Sequence, residues 1–124
     1  MVKVLGIGGV FFRSKDPSGL AQWYQQHLGI DPVPSDATQT PWRTQEGFTV
    51  FSPFAADTDY FPQDRSFMLN FRVGDLDVAI AELSAQGIAC SDVQAMQGVG
   101  RFSRLHDPEG NPIELWEADS AMEA

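Results

Sequence analysis

The chain has a single cysteine, Cys90, in 124 residues, so no internal disulfide can form and a small disulfide-stapled fold is excluded. That scarcity fits a reducing, cytoplasmic compartment. Cys90 has polar neighbours and no histidine near it in sequence, so it reads as inert rather than nucleophilic. Basic residues are also scarce, 8 Lys and Arg against 17 Asp and Glu, for a formal net charge of −9. Nucleic acid is thereby disfavoured as a partner, because phosphate binding needs clustered Lys and Arg. The acidic balance favours cationic small molecules, and its plain effect is to keep the chain in solution. No apolar run approaches the ~18 residues needed to cross a bilayer, so no membrane partner is expected. The apolar stretch VLGIGGVFF near the start runs into Arg13, Lys15 and Asp16 without a small-residue cleavage site. It reads as a first strand, not a targeting segment.

What is present is ordinary globular material repeated once. The length suits one domain, expected over residues 1–119. FRSKDPSGLAQWYQQHLGI (12–30) lies over FRVGDLDVAIAELSAQGI (71–88). Phe12-Arg13 and Asp16 match Phe71-Arg72 and Asp75 at one offset, and Gly29-Ile30 matches Gly87-Ile88 after a one-residue deletion. In each copy an apolar, strand-like segment precedes an Asp placed to cap a helix. Pro17 suits the first helical position, and Asp77 adds negative charge to the first turn of the second helix. Leu20, Trp23, Tyr24 and Leu28 make one stripe over 17–28, and Leu76, Ile80 and Leu83 another over 76–86. Gly29 and Gly87 supply left-handed stops, so both Asp–Gly pairs are structural in this reading.

Shorter strand-like pieces follow each helix, at 30–34, 41–44 and 47–52 and again at 88–94, 99–105 and 111–117. Between the last two, DPEGNP (107–112) spells a hairpin turn, with Gly110 or Asn111 free to take a positive φ. SPFAADTDYFPQD (52–64), with its prolines and aspartates, is the natural connector. The fold class expected is therefore α+β, with two βαβββ modules at about 1–60 and 64–118 and a frayed tail at 120–124.

GGVFFRSKDPSGLAQWYQQHLGI (8–30), MLNFRVGDLDVAIAELSAQGI (68–88) and GRFSRLHDPEGNPIELWE (100–117) resemble the vicinal-oxygen-chelate superfamily of glyoxalase I, bleomycin-resistance proteins, fosfomycin-resistance enzymes and extradiol dioxygenases. The resemblance implies two βαβββ units curled into a mixed sheet around a pocket, usually within a homodimer. It also implies positions for a divalent metal. The first-strand His of metal-dependent members falls here on Gly9, and its counterpart in the second module on Met68. The last-strand Glu is kept as Glu114, and the matching position of the first module is Thr49 or Val50. Glycine has no side chain, and a thioether is too soft for Mg²⁺, Mn²⁺ or Zn²⁺ in such a site, so no metal and no cofactor are expected. His27 closes the first helix and His106 precedes the hairpin turn. Neither falls on a ligand position.

Strand alternation from those positions points Phe11 and Arg13, then Met68, Asn70 and Arg72, then Glu114 and Trp116 into the pocket, with Trp42 as a further wall. Aromatic walls with a few polar groups suit a small planar or amphipathic ligand. Glu114 is the candidate catalytic residue, a general base; its alternative is an ion pair with Arg13, Arg72, Arg101 or Arg104, or a strand-end hydrogen bond. The leading expectation is a metal-independent small-molecule binding protein of bleomycin-resistance type. The alternatives are a glyoxalase-type lyase or isomerase, or a dioxygenase relative, using Glu114, and an interaction module for which no residue speaks directly.

Overall fold

The computed structural model describes residues 1–123. Asp16 and Asp75 start two helices in the same way. Each has a non-helical backbone (φ −140° and −141°) and turns its carboxylate onto the N–H of the third residue ahead, Gly19 or Val78, at 3.1 Å. These bonds satisfy donors that the first helical turn leaves without intrahelical partners. The helices are α1 (Pro17–Leu28) and α2 (Leu76–Ala85), close to the predicted 17–28 and 76–86. Gly29 ends α1 at φ 68°, and Gly87 follows α2 at φ 80°, where a side chain would be strained.

The strands belong to the second module: β1 (Leu69–Arg72), β2 (Gln94–Met96), β3 (Gly100–His106) and β4 (Pro112–Ala118). They form a four-stranded mixed sheet in the order β1-β4-β3-β2. β1 runs parallel to β4, with α2 leading from β1 to β2 at the other edge, while β3 is antiparallel to both β4 and β2. The turn between β3 and β4 closes as predicted, with Gly110 N–H donating to Asp107 O at 2.9 Å and Gly110 at φ 82°. A single helical turn, α3 (Ser120–Glu123), follows β4; residue 124 of the expected tail lies outside the described residues.

Alternation along the strands gives the sheet two faces. Leu105, Ile113 and Leu115 point to the helices and are within 1% of full burial. There they join Leu20 and Tyr24 of α1 and Leu76 and Leu83 of α2 in one core. Glu117 reaches from β4 to accept the Leu76 N–H at 2.9 Å, and Arg101 bridges it to Asp77 (3.4 and 2.7 Å). The Arg101 guanidinium holds the Asp77 carboxyl below the usual range.

The first module differs from expectation. Its helix is in place, but among the described residues 4–12, 30–34, 41–44 and 47–52 form no ladder, so the two halves are not equivalent within one chain. The physical reason is that a strand is stabilised by its neighbour, and none is offered to these segments here. Gly6, Gly8 and Gly9 weaken the first, and Pro32, Pro34 and Pro41 carry no N–H to donate in the later ones. The strand expected at 88–94 is shorter and later, at Gln94–Met96. Ser91 still joins β3, its N–H donating to Arg104 O at 2.8 Å.

Candidate functional site

On the face of the sheet opposite the helices, the ladder register sets Asn70 of β1 and Arg104 of β3 on either side of Glu114 of β4. Asn70 Nδ2 donates to Glu114 Oε1 at 2.8 Å. The Arg104 Nε lies 3.5 Å from Oε2. A third partner comes from the 52–64 connector: the Tyr60 hydroxyl donates to Glu114 Oε2 at 2.7 Å. The Tyr60 ring lies 3.8 Å from the Arg104 guanidinium, and Arg104 also donates to the Tyr60 carbonyl. Glu114 is thus only 5% exposed, yet both of its oxygens have donors. Burial and the bond to Glu114 raise the Tyr60 hydroxyl above the ordinary phenol value, so it serves as a neutral donor. A hydrogen bond to a charged group contributes about 1.5–3 kcal/mol and a partly exposed cation–π contact about 0.5–1 kcal/mol.

Beside this cluster is a hollow of ≈ 370 Å³, walled by Tyr60, Phe61, Met68, Arg104, His106 and Pro112 among others. Glu114 is not part of its wall; Tyr60 stands between the carboxylate and the open space.

Of the predicted site residues, Met68, Asn70 and Glu114 come together here. Trp116 stacks on Phe102 (6.1 Å, 7°) and donates its indole N–H to Val99 O at 3.0 Å, so it is 3% exposed and committed to packing. Arg72 is exposed and turned to the Gln45 and Glu46 carbonyls. Phe11 is 95% exposed and Arg13 is exposed too, because the strand that would have aimed them has no partner. Trp42 rests edge-on against Phe71 (6.3 Å), whose ring also meets Tyr24 of α1, so it packs toward the helix side, away from Glu114. Of the four arginines considered as ion-pair partners of Glu114, Arg104 takes the place. Tyr60 was missed in the sequence, where its place beside Phe61 in a connector of prolines and aspartates was its only signal. Cys90 is half-buried, and that burial raises its thiol above the ordinary value, as suits an inert group. His27 pairs with Gln86, and His106 lies on the wall of the hollow.

The donor set does not suit the family's divalent ion. Gly9, Thr49 and Val50 are exposed, Met68 offers sulfur, and both oxygens of Glu114 already accept from protein donors. Among the described residues no three His, Cys, Asp or Glu side chains converge as a ligand group.

This arrangement sits within a sequence whose residues 9–116 match the profile described as a glyoxalase-like domain. The chain belongs to that family. No curated protein matches the sequence significantly. Among solved structures, this glyoxalase-like chain is similar to TnmS3, described as an antibiotic-binding protein, from Streptomyces sp. CB03234. Identity is 25%, over 85% of this chain and 88% of that one, with a TM-score of 0.56. A protein from the mobile metagenome of V. Pseudocholerae (21% identity, 96% and 98% covered, TM-score 0.64) shares the fold. So does a glyoxylase/bleomycin resistance protein/dioxygenase domain from Frankia sp. EAN1pec (18%, 94% and 100%, TM-score 0.60). Among the described residues no helix is long and apolar enough to cross a membrane.

Proposed function

We propose that this glyoxalase-like protein binds a small molecule in the hollow beside Glu114, without the family's metal, and sequesters rather than transforms it. The observation that carries the reading is the engagement of both Glu114 oxygens by Tyr60 and Asn70, which makes the carboxylate a hydrogen-bond acceptor at the edge of a largely apolar hollow. The similarity to a protein described as antibiotic-binding supports it. A thermal-shift panel of divalent ions and small molecules tests the reading. The expected result is stabilisation by particular organic molecules that is unchanged by EDTA. Binding lost on chelation, or turnover abolished by Glu114→Gln, would replace the reading with a lyase or isomerase of glyoxalase type.

The acting form in this proposal is a homodimer. Among the described residues β1 has no neighbour on its outer side, and the apolar residues Leu5, Val10, Phe11 and Phe51 stand 94%, 55%, 95% and 88% exposed. So many exposed apolar residues, together with an open strand edge, match a surface that a second copy covers. Light scattering at micromolar concentration is expected to read twice the mass of one chain; a monomer mass would refute the dimer. A cytoplasmic setting is part of the same proposal, resting on the lone thiol.

A further inference from the structure

This inference rests on the ligand-site reading above and names the chemistry the site takes. Tyr60 already sits there as a ligand would. Its flat face lies against the Arg104 guanidinium at 3.8 Å, and its hydroxyl donates to Glu114 Oε2 at 2.7 Å. It arrives on a connector outside regular secondary structure, so moving it breaks no ladder. Among the described residues, no buried side-chain nitrogen or oxygen lacks a partner. A molecule entering from the hollow must therefore replace what Tyr60 supplies, or leave a buried carboxylate short of a donor. The acidic net charge draws cations toward the surface, but at the site Arg104 repels them. An anion would meet Glu114 at like charge. A neutral aromatic ring with a hydroxyl on its edge replaces both contacts at once.

We propose that the site accepts hydroxyl-bearing planar aromatics, and that Tyr60 is a latch occupying the phenol position until such a ligand displaces it. The ≈ 370 Å³ hollow beside Tyr60 gives the ring room to enter, and the wall residues Met68, Pro112 and Phe61 give it apolar surface.

Calorimetry with 2-naphthol and 2-methoxynaphthalene on the wild type, Tyr60→Ala and Tyr60→Phe tests the proposal, with far-UV circular dichroism to confirm folding. Removing the latch raises the fraction of competent sites, so 2-naphthol should bind Tyr60→Ala about tenfold more tightly than the wild type. Tyr60→Phe keeps the ring but not the hydroxyl and should fall between them; it carries the test should the alanine variant fail to fold. The methoxy compound, which cannot donate to Glu114, should bind at least about tenfold more weakly than 2-naphthol. Equal affinity of the variants and the wild type for 2-naphthol, or equal affinity for the two compounds, overturns the proposal. If that happens while other molecules of the thermal-shift panel still bind, the phenol class falls and the ligand-site reading stands. If nothing binds, both fall.

Discussion

Asp107→Ala is expected to destabilise the fold by about 3–5 kcal/mol, because it strips one buried acceptor from four donors. Asp107 is 4% exposed. Its Oδ1 accepts from the Glu109 and Asn111 N–H groups at 2.9 and 3.0 Å, and its Oδ2 from the Tyr24 hydroxyl and Asn111 Nδ2, both at 2.7 Å. The turn between β3 and β4 and the docking of α1 thus depend on one carboxylate. Glu109, from the same turn, also holds the start of α1, accepting from Ser14 Oγ at 2.6 Å and Lys15 N–H at 2.9 Å. Urea unfolding should show the loss. Asp107→Asn should recover part of it, since an amide keeps one acceptor oxygen. Unchanged stability in the alanine variant would mean that apolar packing and the Glu109 bonds hold α1 without Asp107.

The same bond predicts a pH dependence. Burial, then the hydrogen bond to Asp107, raise the Tyr24 hydroxyl far above its ordinary value of 10.0. In the unfolded chain the phenol ionises near 10.0, whereas the folded chain keeps the proton. Its contribution is therefore complete below about pH 10 and is lost as pH rises beyond that. Tyr24→Phe should flatten the alkaline fall in stability. An identical alkaline slope in the variant would contradict the assignment.

Ile113→Ala is expected to remove about 2–5 kcal/mol, the range for truncating a fully enclosed aliphatic side chain. Ile113 is 0% exposed and lies in β4 between its ladder partners Leu69 and Leu105, with the helices above. The Ile113 side chain is enclosed in the core on the face opposite Glu114, although the residue also borders the hollow, so the loss should appear first in unfolding. Glu114→Gln, on the other face, should lower ligand affinity, with a stability cost of its own from the weakened bonds to Tyr60, Asn70 and Arg104. A large drop in affinity for Ile113→Ala under strongly native conditions would show that the two faces are coupled.

Both helices and the β3–β4 hairpin were legible in the sequence. The two capping aspartates, Pro17, the stop glycines and the DPEGNP turn all act on residues within a few positions of themselves, and each stands where the sequence placed it. The period of Leu76, Ile80 and Leu83 likewise identifies a face without reference to what covers it. The residues flanking Glu114 were legible only in part. Asn70 followed from alternation along a strand that does form, though Arg72 on the same strand turns to the Gln45 and Glu46 carbonyls, whereas Phe11 and Arg13 were placed by alternation along a segment that forms no ladder among the described residues. Alternation assigns a side only once a strand has a neighbour.

The sequence by itself determined membership of an α+β, glyoxalase-like family and the local punctuation of its helices and hairpin, since caps and turns are short-range chemistry. Tertiary structure alone decided that Tyr60 and Arg104 meet Glu114, and that α1 is tied to the β3–β4 turn through Tyr24 and Asp107. Those contacts join residues far apart in the chain, where no spacing rule reaches; only the register of β4 between β1 and β3, and the path of the connector over that sheet, bring them together.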